Sequence, residues 1–436
     1  MKKIFYFLLT LFPLVANAQS AVVDGINYEI VPVYNGEDYA KLVNSYSYSG
    51  DIVIPTEIVY QNKKYRVRAL ESGAFSGCDN LRSVVFPSNW TFMGNETFRD
   101  CKNLKSVVLP KKLKEIGAYA FAGTNFTSFT IPEGVTVIRE GAFSECENLK
   151  TISIPNGVTT IGDAAFEDCE NLTSIEIPYS VTRIESSAFM GCKGLKSVKL
   201  PKHLKVLDSK AFKKCSGLTE VRIPDNVSTL GINTFAGCSN LTTVYIGSGV
   251  NQVGDRPFED CPKLKDIYYS AIKCPQMGIY SFRNMNFDKI TLHVRPDVVD
   301  EFKGMIPWNN FKIVGDESLV KKSLVKNVLD YNTSKENLWC RIVSIENTGE
   351  ETFLNFKFVS DKEFKCNISP EAYIEANGKK YTLIGSINIP YAPASTIYKK
   401  GTTEFTLVFP PIPADVKEFN FIEENSLWQF KNIKIQ

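Results

Sequence analysis

Between residues 172 and 184 the apolar side chains fall at Leu172, Ile175, Ile177, Val181 and Ile184. Ile175 and Ile177 alternate with Glu176, the period of two that a short strand shows when one face is buried and the other solvated. Pro178 ends the run, because proline cannot donate to a strand ladder and sits at strand boundaries. The same pattern recurs along much of the chain. Phenylalanines stand at 75, 98, 121, 143, 166, 189, 212, 235 and 258, in steps of 23 residues with a single step of 22. Each unit reads Leu-x-x-Ile-x-Ile-Pro, a Gly/Asn turn, Val-x-x-Ile-Gly, then Ala-Phe-x-x-Cys-x-Asn.

A period in this range is the signature of a solenoid. One such unit buries too little apolar surface to offset the backbone entropy of ordering it. Neighbours must therefore stack, with parallel strands paired from rung to rung at about 4.8 Å. Asn80, Asn103, Asn125, Asn148, Asn171, Gly194, Gly217 and Asn240 precede the first apolar residue of successive strands, and only Lys263 departs from this. Asn and Gly share a tolerance for the left-handed region, which predicts a tight turn into each strand at these positions.

The Leu-x-x-Ile-x-Ile-Pro strand joined to "IGDAAFEDC" (161–169) resembles the BspA-type leucine-rich repeat of exported bacterial surface proteins. The resemblance covers about residues 71–270. It implies a right-handed stack of parallel strands, an α/β-type solenoid dominated by β, and adhesion to host matrix or other cells rather than catalysis. The more familiar leucine-rich pattern carries an asparagine ladder eight residues after its first leucine. Here those positions hold Asn89, Lys112, Gly134, Gly157, Ser180, His203, Asn226 and Gly249, so that ladder is missing.

The array needs caps, since an end rung would expose its apolar face. Residues 19–70 resemble the opening cap of such an array, with Ile52 and Ile54 before Pro55 making a first strand. Residues 271–315 resemble the terminal strand-plus-helix cap of the same family, which implies that Trp308 and Phe311 close the core. Past Gly315 the period disappears. Short runs such as "LWCRIVSI", "TFLNFKFV" and "TEFTLVF", and an Asn-Gly hairpin signal in "EANGKKYTL", predict a small all-β sandwich over 316–436.

The first eighteen residues change where this solenoid would work. Lys2 and Lys3, the apolar "IFYFLLTLFPLV" (4–15) and Ala16-Asn17-Ala18 make a secretory signal peptide over 1–18. The apolar run is too short for a span, which needs about 20 residues. No cysteine follows Ala18 to take a lipid. The mature chain is expected to start at Gln19 and to be exported: cell surface, periplasm or secreted. With 50 basic and 48 acidic residues the net charge is +2, so no overall field points to nucleic acid or an anionic membrane. No membrane insertion is expected after cleavage.

Candidate chemistry is sparse. His203 and His293 are the only histidines, neither sits in a triad or zinc motif, and no Walker, dinucleotide or Gly-x-Ser-x-Gly motif occurs. No catalytic residue, cofactor or metal is assigned. The regular thiols Cys146, Cys169, Cys192, Cys215, Cys238 and Cys261 could form a metal rack, a disulfide ladder or a row of small core residues. Zinc sites use closely spaced cysteine pairs, absent here. Parallel rungs hold equivalent Cβ atoms near 4.8 Å apart, beyond the usual 3.5–4.5 Å of a disulfide. Thr124 interrupts the series. A small buried hydrophobe is the reading the spacing favours, while Cys340 and Cys366 in the last domain can bridge or stay reduced.

A binding surface is expected on the strand face, where one outward residue per rung lines up. That column reads Val85, Val108, Thr130, Ser153, Glu176, Lys199, Arg222, Tyr245, Tyr268, with Glu220 and Asp266 beside it. Glu176, Lys199, Arg222, Tyr245 and Tyr268 are the candidate partner-binding residues, because Tyr and Arg are enriched at interface hot spots. The partner expected is an extracellular protein or glycan. Two other readings stand beside this: Tyr245 and Tyr268 as a purely structural cross-strand pair, and the whole chain as an envelope spacer docked through its last domain.

Overall fold

The computed structural model describes residues 19–434 apart from 35, 278–279, 284, 320–323, 336–337, 348–350, 361–362, 388, 390–395, 399–400, 414 and 424–428. The expected signal peptide, 1–18, lies outside the described residues. An antiparallel hairpin, Gln19–Val23 and Ile26–Val31, opens a five-stranded sheet continued by Tyr39–Leu42, Lys63–Leu70 and Glu57–Tyr60. Gly50–Val53 then starts the stack by pairing in parallel with Leu81–Val85, which sets Ile52 beside Val84.

From there the strand face runs through Ser106–Val108, Ser128–Thr130 and Thr151–Ser153, then Glu220–Ile223, Thr243–Ile246, Asp266–Tyr269, Thr291–Val294 and Lys312–Gly315. Between Ser153 and Glu220 the described ladder thins to a single parallel bridge, Glu176 to Lys199. A second ladder of two-residue strands, from Val137–Ile138 through Arg183–Ile184 to Gln276–Met277, runs along another side. Phe166, Cys169, Leu172, Val181 and Ile184 are fully buried and Ile175 and Ile177 nearly so. The period-two and Phe/Cys positions therefore point inward together.

On the third side the nine repeat phenylalanines form one unbroken stack. Ring centroids from Phe75 to Phe258 are 5.1–6.0 Å apart and successive planes differ by 3–14°. Aromatic pairs of this kind contribute about 0.5–1.5 kcal/mol beyond their burial. The backbone on this side is not strand, yet it is hydrogen-bonded just as regularly. In the rung of Phe166 the N–H groups of Ala164, Phe166 and Asp168 donate to the next rung's Ser186, Ala188 and Met190 carbonyls at 2.9, 2.8 and 2.7 Å.

That geometry requires two left-handed residues per rung, and they are not the asparagines. They stand two before and two after each phenylalanine: Ala164 (φ 50°) and Asp168 (φ 53°), Ser187 (φ 55°) and Gly191 (φ 75°), Lys210 and Lys214 (both φ 60°). A non-glycine residue there costs about 1–2 kcal/mol, while a buried N–H left unmade costs about 1–3 kcal/mol. The hydrogen bond offsets the penalty, so side chains are accepted at both positions, although the one after the phenylalanine is Gly or Asp in seven rungs of nine.

The expected left-handed turn before each strand is corrected accordingly. Asn103, Asn171 and Asn240 instead send Nδ2 to the previous rung's Asp79, Glu147 and Ser216 carbonyls at 2.7, 2.8 and 2.8 Å. Lys263 continues the line by donating to Asn240 Oδ1 at 2.7 Å. Gly217 is there for close approach, since a Cβ would lie 2.7 Å from the carbonyl oxygens of both Lys193 and Leu195. An asparagine ladder thus exists, one residue ahead of the leucine rather than eight after it.

At the far end Trp308, 1% exposed, closes the core against Tyr269, Phe282, Phe302 and Phe311. Helix among the described residues is confined to Val299–Gly304 and short 3-10 turns. Beyond it, Leu324–Lys335, Leu338–Asn347, Thr352–Ser360, Gly401–Phe409 and Gly385–Ile387 form one antiparallel sheet, and Lys379–Thr382, Tyr373–Ala376, Glu418–Ile422 and Gln429–Lys434 another. Phe356 of the first meets Phe421 and Phe430 of the second at 5.4 and 5.8 Å. The two sheets share one core as a sandwich. Its expected hairpin is present, with Asn377 and Gly378 at φ 50° and 72° between Ala376 and Lys379.

Because Phe166 is covered on both faces, Phe166→Ala should lower stability by about 3–5 kcal/mol. Denaturant unfolding checks this, and a loss below about 1 kcal/mol would contradict a continuous stack.

Candidate functional site

The thiol column is a hydrogen-bonding device inside the core. Cys101, Cys146, Cys169, Cys192, Cys215, Cys238 and Cys261 each point Sγ at the carbonyl of the previous rung's repeat phenylalanine, at 2.9–3.3 Å. That same oxygen accepts the cysteine N–H of its own rung, as Phe166 does from Cys169 at 3.3 Å. Sulfur is a weak donor, but repetition ties each rung to its neighbour.

Thr124 shows what happens without the thiol. Its hydroxyl is shorter and donates to Phe121 of its own rung at 2.8 Å, while Cys146 Sγ lies 3.3 Å from it. This is the 22-residue step, and Phe126 and Phe129 fill its core, Phe129 lying 4.8 and 5.0 Å from Phe121 and Phe143. Burial holds the thiols of Cys192, Cys215 and Cys238 well above the ordinary range and pushes Cys101 up to about 12. Such thiols are poor nucleophiles. Among the described residues no group of three or more His, Cys, Asp or Glu is placed to hold a metal ion.

The strand face displays its column in register. Arg222 pairs with Tyr245, Tyr245 with Tyr268, and Tyr268 with His293. The Arg222 guanidinium lies 3.6 Å over the Tyr245 ring, Tyr245 and Tyr268 stack at 4.6 Å, and Tyr268 and His293 at 4.2 Å. Glu220 fixes Arg222 Nε at 2.8 Å. Asp266 meets His293 Nε2 at 2.9 Å, and Asp316 lies 3.7 Å from Nδ1. Two Ser318 hydrogen bonds and then His293 hold the Asp316 carboxyl below its usual range. His293 extends the column the sequence showed. Its signal was already there, since His293 alternates with Leu292 and Val294 as Tyr268 does with Ile267 and Tyr269.

The other two candidates are placed differently. Glu176 is exposed and only bridges to Lys199. Lys199 instead reaches the C-terminal domain, donating to Glu351 at 2.5 Å. Tyr179 Oη donates to the same carboxylate, whose side chain is only 9% exposed. Next to them Lys202 donates to Glu346 at 2.7 Å and lies 4.0 Å over the Phe353 ring. No motif announced this contact, because its two halves are 152 residues apart for Lys199 and Glu351.

The BspA-type leucine rich repeat region matches in six copies over residues 68–196 and 159–288, together more than half the chain. The chain belongs to the BspA-type leucine-rich repeat family. Similar solved structures include a leucine-rich repeat protein from Bacteroides ovatus, 23% identical, covering 68% of this chain and 100% of its own, TM-score 0.30. A leucine-rich cell surface protein from Faecalibacterium prausnitzii is 22% identical, covering 69% and 96%, TM-score 0.32. The pneumococcal vaccine antigen PcpA is 17% identical, covering 69% and 99%, TM-score 0.34. No curated protein matches the chain by sequence. No helix among the described residues is long and apolar enough to cross a membrane.

A BspA-type core built this way keeps its thiols out of reach. A maleimide at pH 8 should leave Cys101, Cys192, Cys215 and Cys238 unmodified in the folded chain and modify them in denaturant. Mass spectrometry reads the sites, and rapid native labelling of any of the four would contradict the buried ladder.

Proposed function

We propose that this is an exported, surface-displayed binding protein without catalytic activity, and that it captures an extracellular protein through the C-terminal half of its strand face. The observation carrying this reading is the in-register column Arg222, Tyr245, Tyr268 and His293, with Arg222 exposed and the three rings partly buried, bordered by Glu220, Asp266 and Asp316. A rigid, pre-stacked row loses little entropy on binding, which favours hot-spot behaviour. Its composition also separates the two partner classes. Sugar rings are held by open aromatic faces, whereas here each tyrosine face is covered by Arg222, its neighbour or His293. What remains outward is ring edges, hydroxyls and charge, which suits the polar and apolar mixture of a protein surface.

The absence of catalysis is supported by how the reactive side chains are employed. The repeat thiols are buried hydrogen-bond donors, His293 is stacked and held by two aspartates, and His203 is packed under the last domain. The spacer reading is less favoured, because Glu346 and Glu351 of that domain engage the solenoid instead of facing outward.

Capture from host extracellular extract by the immobilised mature chain, read by mass spectrometry, is the test. Arg222→Ala with Tyr245→Ala should weaken the captured interaction by about 30-fold, about 2 kcal/mol, with an unchanged circular dichroism spectrum. Undiminished binding would remove this surface from consideration.

A further inference from the structure

The contact between the solenoid and its own C-terminal domain is built on one repeat position. Tyr179 and Lys202 each follow a strand-ending proline, Pro178 and Pro201, on successive rungs, and His203 comes next. Facing them, Phe353, Ile387 and Val408 form a small buried cluster against the Tyr179 ring. Gly385 lies so close that any Cβ would collide with that ring. Glu351 receives Tyr179 and Lys199, and Glu346 receives Lys202. His203 packs 5.9 Å from the Phe353 ring, and its Nε2 is buried with no hydrogen-bond partner among the described residues. A neutral imidazole tolerates such a place; an imidazolium needs an acceptor or water.

We propose that the surface formed by Tyr179, Lys199, Lys202 and His203 is a reversible docking site for the C-terminal domain, held while His203 is neutral and vacated when it is protonated. Vacating it exposes Lys202 and releases the already exposed Lys199 from Glu351. The groups facing His203 are Lys202 and Lys205 on its own rung and Glu346 and Glu351 from the domain. Burial first, then Lys202, holds the imidazole below its ordinary value, against the opposing pull of the two glutamates. The undocked chain therefore takes the proton first. Docking is at full strength above the ordinary histidine value of about 6.5 and weakens as pH falls below it. Between about pH 5.5 and 7 histidine is the side chain whose charge changes, which separates this effect from general acid unfolding.

Small-angle scattering of the full mature chain at pH 7.5 and 5.5 tests the proposal, with circular dichroism to confirm folding. The wild-type radius of gyration should increase at pH 5.5. His203→Gln, which cannot be protonated, should stay compact at both values, and Glu351→Lys should be expanded at both. His293→Gln should behave as wild type. A wild-type chain unchanged at pH 5.5, expansion of His203→Gln in parallel with wild type, or a compact Glu351→Lys would each overturn it.

Discussion

Each rung can satisfy its backbone only by donating to, and accepting from, the rungs beside it. On the strand face and on the second ladder this is ordinary parallel pairing. On the phenylalanine side it is achieved by residues in the left-handed region, which turn alternate N–H groups along the stack. That constraint explains the 23-residue step. A rung must return each of three sides to register with its neighbour, and inward side chains then fall into columns without further instruction.

The columns divide the labour of the molecule. Inside, stacked phenylalanines and thiols directed at their carbonyls connect the rungs, which is why a regular thiol series need be neither a metal rack nor a disulfide ladder. Where the thiol is lost, at Thr124, the rung shortens by one residue and larger rings make up the volume. Outside, the same register gathers Arg222, Tyr245, Tyr268 and His293 into a row from residues far apart in the chain. The stack that holds these rings in a row also covers their faces and leaves their edges and hydroxyls outward.

Much of this was legible because it repeats. The inward set of Phe166, Cys169, Leu172, Ile175 and Ile177 and the Asn377-Gly378 hairpin followed from spacing and turn chemistry, and the closing of the core by Trp308 from the family resemblance. The left-handed positions did not. Two before each phenylalanine they carry Glu96, Tyr119, Ala164, Ser187 or Lys210 as well as glycine, and only two after it does a trace remain, Gly or Asp in seven rungs of nine, because the hydrogen bond gained offsets much of the side-chain penalty. The asparagines misled for the same reason: their side chains, not their backbone freedom, are what the fold uses. Docking of the last domain was invisible in principle, because a repeat pattern specifies neighbours within the array and says nothing about a contact across it.

The array depends on its phenylalanine side being a true hydrogen-bonded ladder instead of a series of loops. Native-state amide hydrogen exchange on the folded chain addresses this directly. Ala164, Phe166 and Asp168 should exchange with protection close to that of strand-face amides such as Val244 and Ile267, opening only with the whole array. Exchange of those three amides at near-random-coil rates while the strand face stays protected would contradict it.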